Sequence, residues 1–268
     1  MKEREYIPNV NHLSVITAMI LLAYALTAFI QFPTRTISLQ LPGFLLSFQF
    51  NFMTIISIVV AVMAAAGADW LIGAHPHLQG QRRFHHWMIP AFTALVISVP
   101  LNSLRVSSSW WVVFALGGLL LRGGFIAEYI SVDPTDIRFP VARVSLTAMS
   151  FALFLFLLIA LRGAGLRLYL VLAIVLPAVA LVTAKTLHLR LGGWHLAWTG
   201  GISLVVLQMS TVLFYLPFKP LQYGLLLIGL TYGLINLAGS IEEKRSPKVI
   251  WIEPLLLMLI FGALAILF

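Results

Sequence analysis

Two charges fall inside one apolar run of this chain: Gly117 to Tyr129 reads GGLLLRGGFIAEY, with Arg122 and Glu128 in it. A guanidinium or a carboxylate in hydrocarbon is costly unless paired or wetted, so each is a candidate for holding an anionic ligand or a proton. Six residues of helix turn the chain through about 600°, which leaves the two side chains about 120° apart and unable to face one another. Each needs a partner from another helix. Glu128 lies on the stripe of Gly117 and Gly124, the face of closest approach. The competing reading keeps Glu128 at the surface, capped by water or Arg143, with Arg122 stretched toward the same surface on its aliphatic stem.

Asp69 is the third candidate. It sits in the run AAAGADW and shares a face with Ala65, Ala66 and Gly73 at helical spacing. Small side chains let helices approach closely, which puts Asp69 in a tight seam near one membrane surface. Arg122, Glu128 and Asp69 are therefore the candidate ligand-binding residues.

Histidine supplies the next chemistry. His75, His77, His85, His86, His188 and His195 carry enough imidazole for a metal or a haem. Their spacings match neither HExxH nor the three-box pattern of membrane di-iron oxygenases, and Gly192-Gly193 breaks the helix that would align His188 with His195. No metal and no other cofactor is expected; imidazoles beside arginines at a phospholipid surface read as a solvated loop. Asp133-Pro134-Thr135-Asp136 could hold Mg²⁺ on a phosphate, as in nine-span prenyltransferases. Such a site needs a second acidic cluster, and the loop between spans six and seven has no acid. The two Asp side chains are instead expected to accept from backbone amides of a proline-stiffened turn. Lys185 reads as a helix-end residue, which sets aside a retinal Schiff base. With no cysteine in the chain, thiolate and Cys-ligated metal chemistry are excluded.

Positioning these residues falls to apolar helices. Of 268 residues, 60% are hydrophobic and 10% charged, against about a quarter charged in soluble domains. Apolar runs long enough to span a bilayer recur throughout. The expected spans are about Leu13–Phe32, Phe52–Ile72, Trp87–Leu104, Trp110–Ile130, Pro140–Leu161, Leu166–Thr186, Leu196–Leu216, Leu221–Ala238 and Val249–Phe268. The fold class is an all-α polytopic transmembrane helix bundle of about nine spanning helices, with residues 1–268 as a single transmembrane domain. Ala23-Tyr24-Ala25 offers a signal-peptidase site, but the apolar run continues past it and reads as an anchor. Between spans one and two, Ile37, Leu39 and Leu41 alternate with Ser38 and Gln40, then Pro42-Gly43 turns, then Phe48 and Phe50 flank Gln49. That pattern suits a surface hairpin or an interfacial loop. Gly229 and Gly233 form a GxxxG on span eight.

Charge sets the orientation. With a cytoplasmic N-terminus, that side receives Lys2, Arg4, Arg82, Arg83, Arg138, Arg143, Lys185, Arg190, Lys244, Arg245 and Lys248; the other receives Arg35, Arg105, Arg162, Arg167 and Lys219. Eleven against five puts the N-terminus in the cytoplasm. The net charge of +8 is thus explained by topology, and no nucleic acid is expected as a partner. All seven histidines and all nine acids also fall on or near the cytoplasmic side.

Ala127-Glu-Tyr-Ile-Ser-Val-Asp-Pro-Thr-Asp136, with Ala66-Gly-Ala-Asp-Trp70 and Pro220-Leu-Gln-Tyr-Gly224, resembles an uncharacterised family of bacterial polytopic inner-membrane proteins. The resemblance implies a multi-pass protein of the bacterial cytoplasmic membrane and carries over no catalytic residue. Three functions fit the chain: a carrier or binder of a small anionic or amphipathic ligand in a cytoplasm-facing cavity, a scaffold or accessory subunit of a larger membrane complex, and a lipid-modifying enzyme with a histidine site. Partners are the lipid bilayer and, for the scaffold, other membrane proteins.

Overall fold

The computed structural model describes residues 8–29, 35–41, 44–50, 52–75 and 84–268. Among the described residues nine helices are long and apolar enough to cross a membrane. In chain order they are α1 (Val10–Phe29), α2 (Phe52–Gly73), α3 (Phe84–Ser103), α4 (Ser108–Ile130), α5 (Phe139–Gly163), α6 (Leu168–Leu191), α7 (Leu196–Tyr215), α8 (Pro220–Glu242) and α9 (Pro247–Leu267). At about 1.5 Å per residue, 20 or more residues match the roughly 30 Å hydrocarbon core. The chain is a multi-pass membrane protein by length and composition.

The hairpin reading of the first connection holds in the backbone. Strands β1 (Arg35–Leu41) and β2 (Phe44–Phe50) pair antiparallel, Ile37 opposite Phe48 and Leu39 opposite Leu46. The Pro42-Gly43 turn itself, like His77, lies outside the described residues.

The helices group into two compact units, Met1–Ala142 and Arg143–Phe268, within the single span of 1–268 read from the sequence. In the first, α1 to α4 pack pairwise around Ile16, Ile20, Ala64, Ala68, Leu121 and Phe125. Small residues make the closest approaches: a Cβ on Gly67 would strike Ile16, and one on Gly117 would come 2.6 Å from Ile97. The tight stripe of α2 is therefore Ala64, Gly67 and Ala68, not the expected Ala65, Ala66 and Gly73, since Ala66 and Gly73 face outward. Packing against Ile16 on one side fixes the helix rotation, and period alone does not.

In the second unit α8 is the central helix, packed on α6, α7 and α9. A Cβ at Gly224 would come 2.8 Å from Leu155, so α5 closes on α8 there as well. Helix α6 runs on past the expected end at Thr186 to Leu191, where Gly192 takes a left-handed conformation (φ 72°) and donates to His188 O at 2.9 Å. Glycine alone adopts that C-terminal geometry without strain. The added turn moves Lys185 off the helix end, where it is fully buried.

Candidate functional site

The buried charge of the first unit is settled by a neighbouring helix. Glu128, near the C-terminal end of α4, is fully buried, and its Oε2 lies 2.7 Å from His86 Nδ1 on α3. The stripe of Gly117, Leu121, Gly124 and Glu128 faces inward as the sequence suggested, and Gly117 brings it against α3. The reading that left Glu128 at the surface, capped by water or Arg143, is corrected: an imidazole holds it. Ser131 adds a longer contact to the same carboxylate at 3.5 Å. Asp69 Oδ1 accepts from the Trp87 indole at 3.2 Å.

Arg122 takes a different course. It is exposed on α4 and, among the described residues, forms no ion pair. Arg122 and Glu128 are thus not brought together.

The histidines are distributed over separate contacts. His85 lies tilted against His86 with ring centroids 3.8 Å apart, and His75 meets the edge of Tyr129 at 4.7 Å. His188 stacks on Trp194 at 5.0 Å, and His195 Nδ1 lies 3.1 Å from Gly193 O. Among the described residues no three histidines or acids form a metal-binding group. Asp133 and Asp136 accept from the backbone amides of Thr135 and Arg138 at 2.9 and 2.8 Å, as the turn reading expects.

The second unit holds a feature that sequence reasoning missed. A cavity of about 460 Å³ opens among α5, α6, α8 and α9, with Arg143 and Arg190 near the ends of α5 and α6 and Phe151, Ile228 and Phe261 well inside their helices. Val144, Ala148, Phe151, Ile228, Ile235 and Phe261 form its apolar wall. Three arginines, Arg143, Arg190 and Arg245, line it too.

Two of these arginines are already committed. Arg190 grips Glu243 with two hydrogen bonds, 2.6 Å from Nε and 2.9 Å from Nη2, and donates to Asn236 Oδ1 at 3.0 Å. Gly239 makes room for it: a Cβ there would sit 2.5 Å from the guanidinium carbon. Arg245 reaches Glu243 at 2.6 Å and Glu253 at 3.4 Å. Arg190 beside Glu243 holds that carboxyl below the usual glutamate range, its hydrogen bond being the largest cause.

The remaining donors are open. Thr17, Thr93, Thr147, Thr199, Thr211 and Thr231 each donate to the carbonyl four residues back. Thr186 does not: it is only 6% exposed, lines the cavity, and its hydroxyl has no hydrogen-bond partner. Among the described residues, the Arg143 guanidinium and the Tyr232 hydroxyl also make no hydrogen bond; Tyr232 touches Phe151 ring to ring. Asn236 is used on both sides, accepting from Arg190 and donating to Tyr232 O. What the cavity offers is donors without acceptors beside an apolar wall.

A second cleft, about 420 Å³, lies in the first unit beside Thr27, Asn102, Arg105 and Trp110. Its polar groups largely serve one another or the backbone. Asn102 donates to Ser57, Thr27 to Tyr24 O, and Trp110 to Leu101 O.

Comparison with known proteins gives one family. A family model described as a protein of unknown function (DUF5656) matches residues 32–268. No curated protein and no solved structure matches the chain.

Proposed function

The chain belongs to this family of unknown function, and from that premise we propose that it binds or carries a small anionic amphipathic ligand in the cavity of its second unit. The observation that supports this is the donor inventory: Arg143, Thr186 and Tyr232 line a cavity whose other wall is apolar, and among the described residues none of their side-chain donor groups has an acceptor. An anion satisfies the donors, and an apolar tail covers Phe151, Ile228 and Phe261. The buried Thr186 hydroxyl without an acceptor costs about 1–3 kcal/mol, which a ligand that supplies one recovers.

The positive-inside count puts this arginine-rich end on the cytoplasmic side, and the membrane is read as the bacterial inner membrane from the resemblance stated above. Arg122, Glu128 and Asp69 take other roles in this reading. Glu128 and Asp69 tie α3 to α4 and α2 through His86 and Trp87, while Arg122 extends from the outer face of α4 toward the membrane surface.

The chain has no cysteine, so a single Ala148→Cys on the cavity wall gives one reactive thiol. Alkylation of that thiol in detergent is expected to slow several-fold with oleate and to be unaffected by oleylamine. Arg143→Gln should remove the protection and Arg122→Leu should preserve it. Equal protection by both amphiphiles, or protection lost with Arg122→Leu, contradicts the proposal.

A further inference from the structure

We propose that the occupant of this cavity is the phosphate headgroup of a singly charged anionic phospholipid, held by Arg143, Thr186 and Tyr232. This rests on the ligand-binding reading above and narrows its chemistry.

Three helices supply the three open donors: Arg143 comes from α5, Thr186 from α6 and Tyr232 from α8. A carboxylate offers lone pairs in a single plane, whereas a tetrahedral phosphate accepts from several directions at once. Donors supplied by three different helices suit the tetrahedral anion. Arg143 brings a forked guanidinium, the side chain best matched to phosphate oxygens.

Charge decides between phosphate types. Arg143, Arg190 and Arg245 contribute three positive charges, and Glu243 and Glu253, which pair with the last two, remove two. The remainder is one, at Arg143. A phosphodiester headgroup with a single negative charge neutralises it; a doubly charged phosphomonoester leaves an excess charge in a partly apolar site, which is costly. Arg190 cannot relieve that excess while its fork is occupied by Glu243 and Asn236.

The wall identifies the rest of the molecule. Free phosphate leaves Phe151, Ile228 and Phe261 uncovered. A lipid lays its chain along them, and the volume, within the usual range of small-ligand sites, takes the headgroup and the start of a chain while the remainder stays in the bilayer.

Native mass spectrometry of the full chain in detergent tests this, with phosphatidylglycerol, phosphatidylcholine and oleate offered in equal amounts and inorganic phosphate as competitor. Phosphatidylglycerol should be retained about tenfold or more over the other two, and phosphate should not displace it. Thr186→Val and Tyr232→Phe should each cut retention about tenfold, as for one hydrogen bond to a charged group. Neither should lower the melting temperature without lipid, because among the described residues neither hydroxyl has a hydrogen-bond partner. Arg143→Gln should abolish the preference over phosphatidylcholine.

Oleate retained as well as phosphatidylglycerol, with both hydroxyl variants unaffected, overturns the phosphate assignment and leaves the anionic-amphiphile reading standing. Phosphatidylcholine retained as well overturns the charge argument. Displacement by inorganic phosphate shows a soluble anion and overturns the lipid. A fall in melting temperature of Thr186→Val without lipid makes its hydroxyl structural and removes it from the site. Retention of no lipid at all overturns this proposal and the reading beneath it together.

Discussion

Glu128 and Arg143 show how a charge in this protein is read by what surrounds it. Glu128 is fully buried against His86, so its removal strands an imidazole in the interior. Glu128→Ala should destabilise the protein by about 3–5 kcal/mol, and Glu128→Leu combined with His86→Leu should cost much less. Melting curves of the two variants measure the difference; equal losses would mean that the two groups do not act as a pair. Glu243 gives a pH prediction. Arg190 depresses its folded pKa, so the stabilisation is present above the ordinary value of about 4.3 and is lost as pH falls through the lower folded value. The melting-temperature gap between Glu243→Gln and the unaltered protein should be full at neutral pH and close on acidification. A gap unchanged into strong acid would contradict the Arg190 pairing. At this scale the sequence was only partly legible. Glu128 stood out because an acid interrupts an apolar run, but nothing local names His86, which lies 42 residues away. Arg143, Arg190 and Arg245 were absorbed into the positive-inside count, which explains their number and hides their geometry. The available signal was polar pairs four apart on three helices: Arg143 with Thr147, Thr186 with Arg190, Tyr232 with Asn236.

Helix approach is set by glycine wherever two axes come closest. The pair Gly229 and Gly233 on α8 looked like a close-packing motif, and it meets α9: a Cβ at Gly229 would lie 2.5 Å from Phe261 Cβ, and one at Gly233 would lie 2.7 Å from Met258. Lipid tails are as apolar as the helices, so such contact, rather than exclusion of water, holds the pair together. Gly229→Leu should detach α9 and lower the melting temperature markedly. Gly123→Leu, where an added Cβ meets no atom within 4 Å, should do little. Equal melting temperatures would show that the seam carries no stability. Interhelical hydrogen bonds add smaller amounts: Tyr223 with Ser210 joins α8 to α7 at 2.7 Å, a contact worth about 0.6 kcal/mol on the membrane-protein average. Elements were the most legible level. Hydropathy located all nine helices, because a spanning segment must satisfy its own backbone and must be long. Ends were less legible: α6 runs to the glycine that can turn it, not to the last strongly apolar residue.

Across the whole molecule, apolar helices leave little polar material, and much of that lies at helix ends. Six spans, α3 to α8, separate the loops around 75–86 and 240–249, which together with the charge count predicts that both lie on one side of the bilayer. Reporter fusions in both loops should therefore give the same signal, and opposite signals would dismantle the proposed topology. Composition made the membrane legible from the start; the cavity was not, since it exists only where four helices meet. The most direct test of its role is an electron cryo-microscopy map of the protein in a bilayer containing phosphatidylglycerol. Headgroup density is expected within hydrogen-bonding distance of Arg143 and Thr186, continuing as a chain along Phe151 and Phe261. A cavity closed by its own side chains, with Arg143 turned to a protein carboxylate, would contradict it.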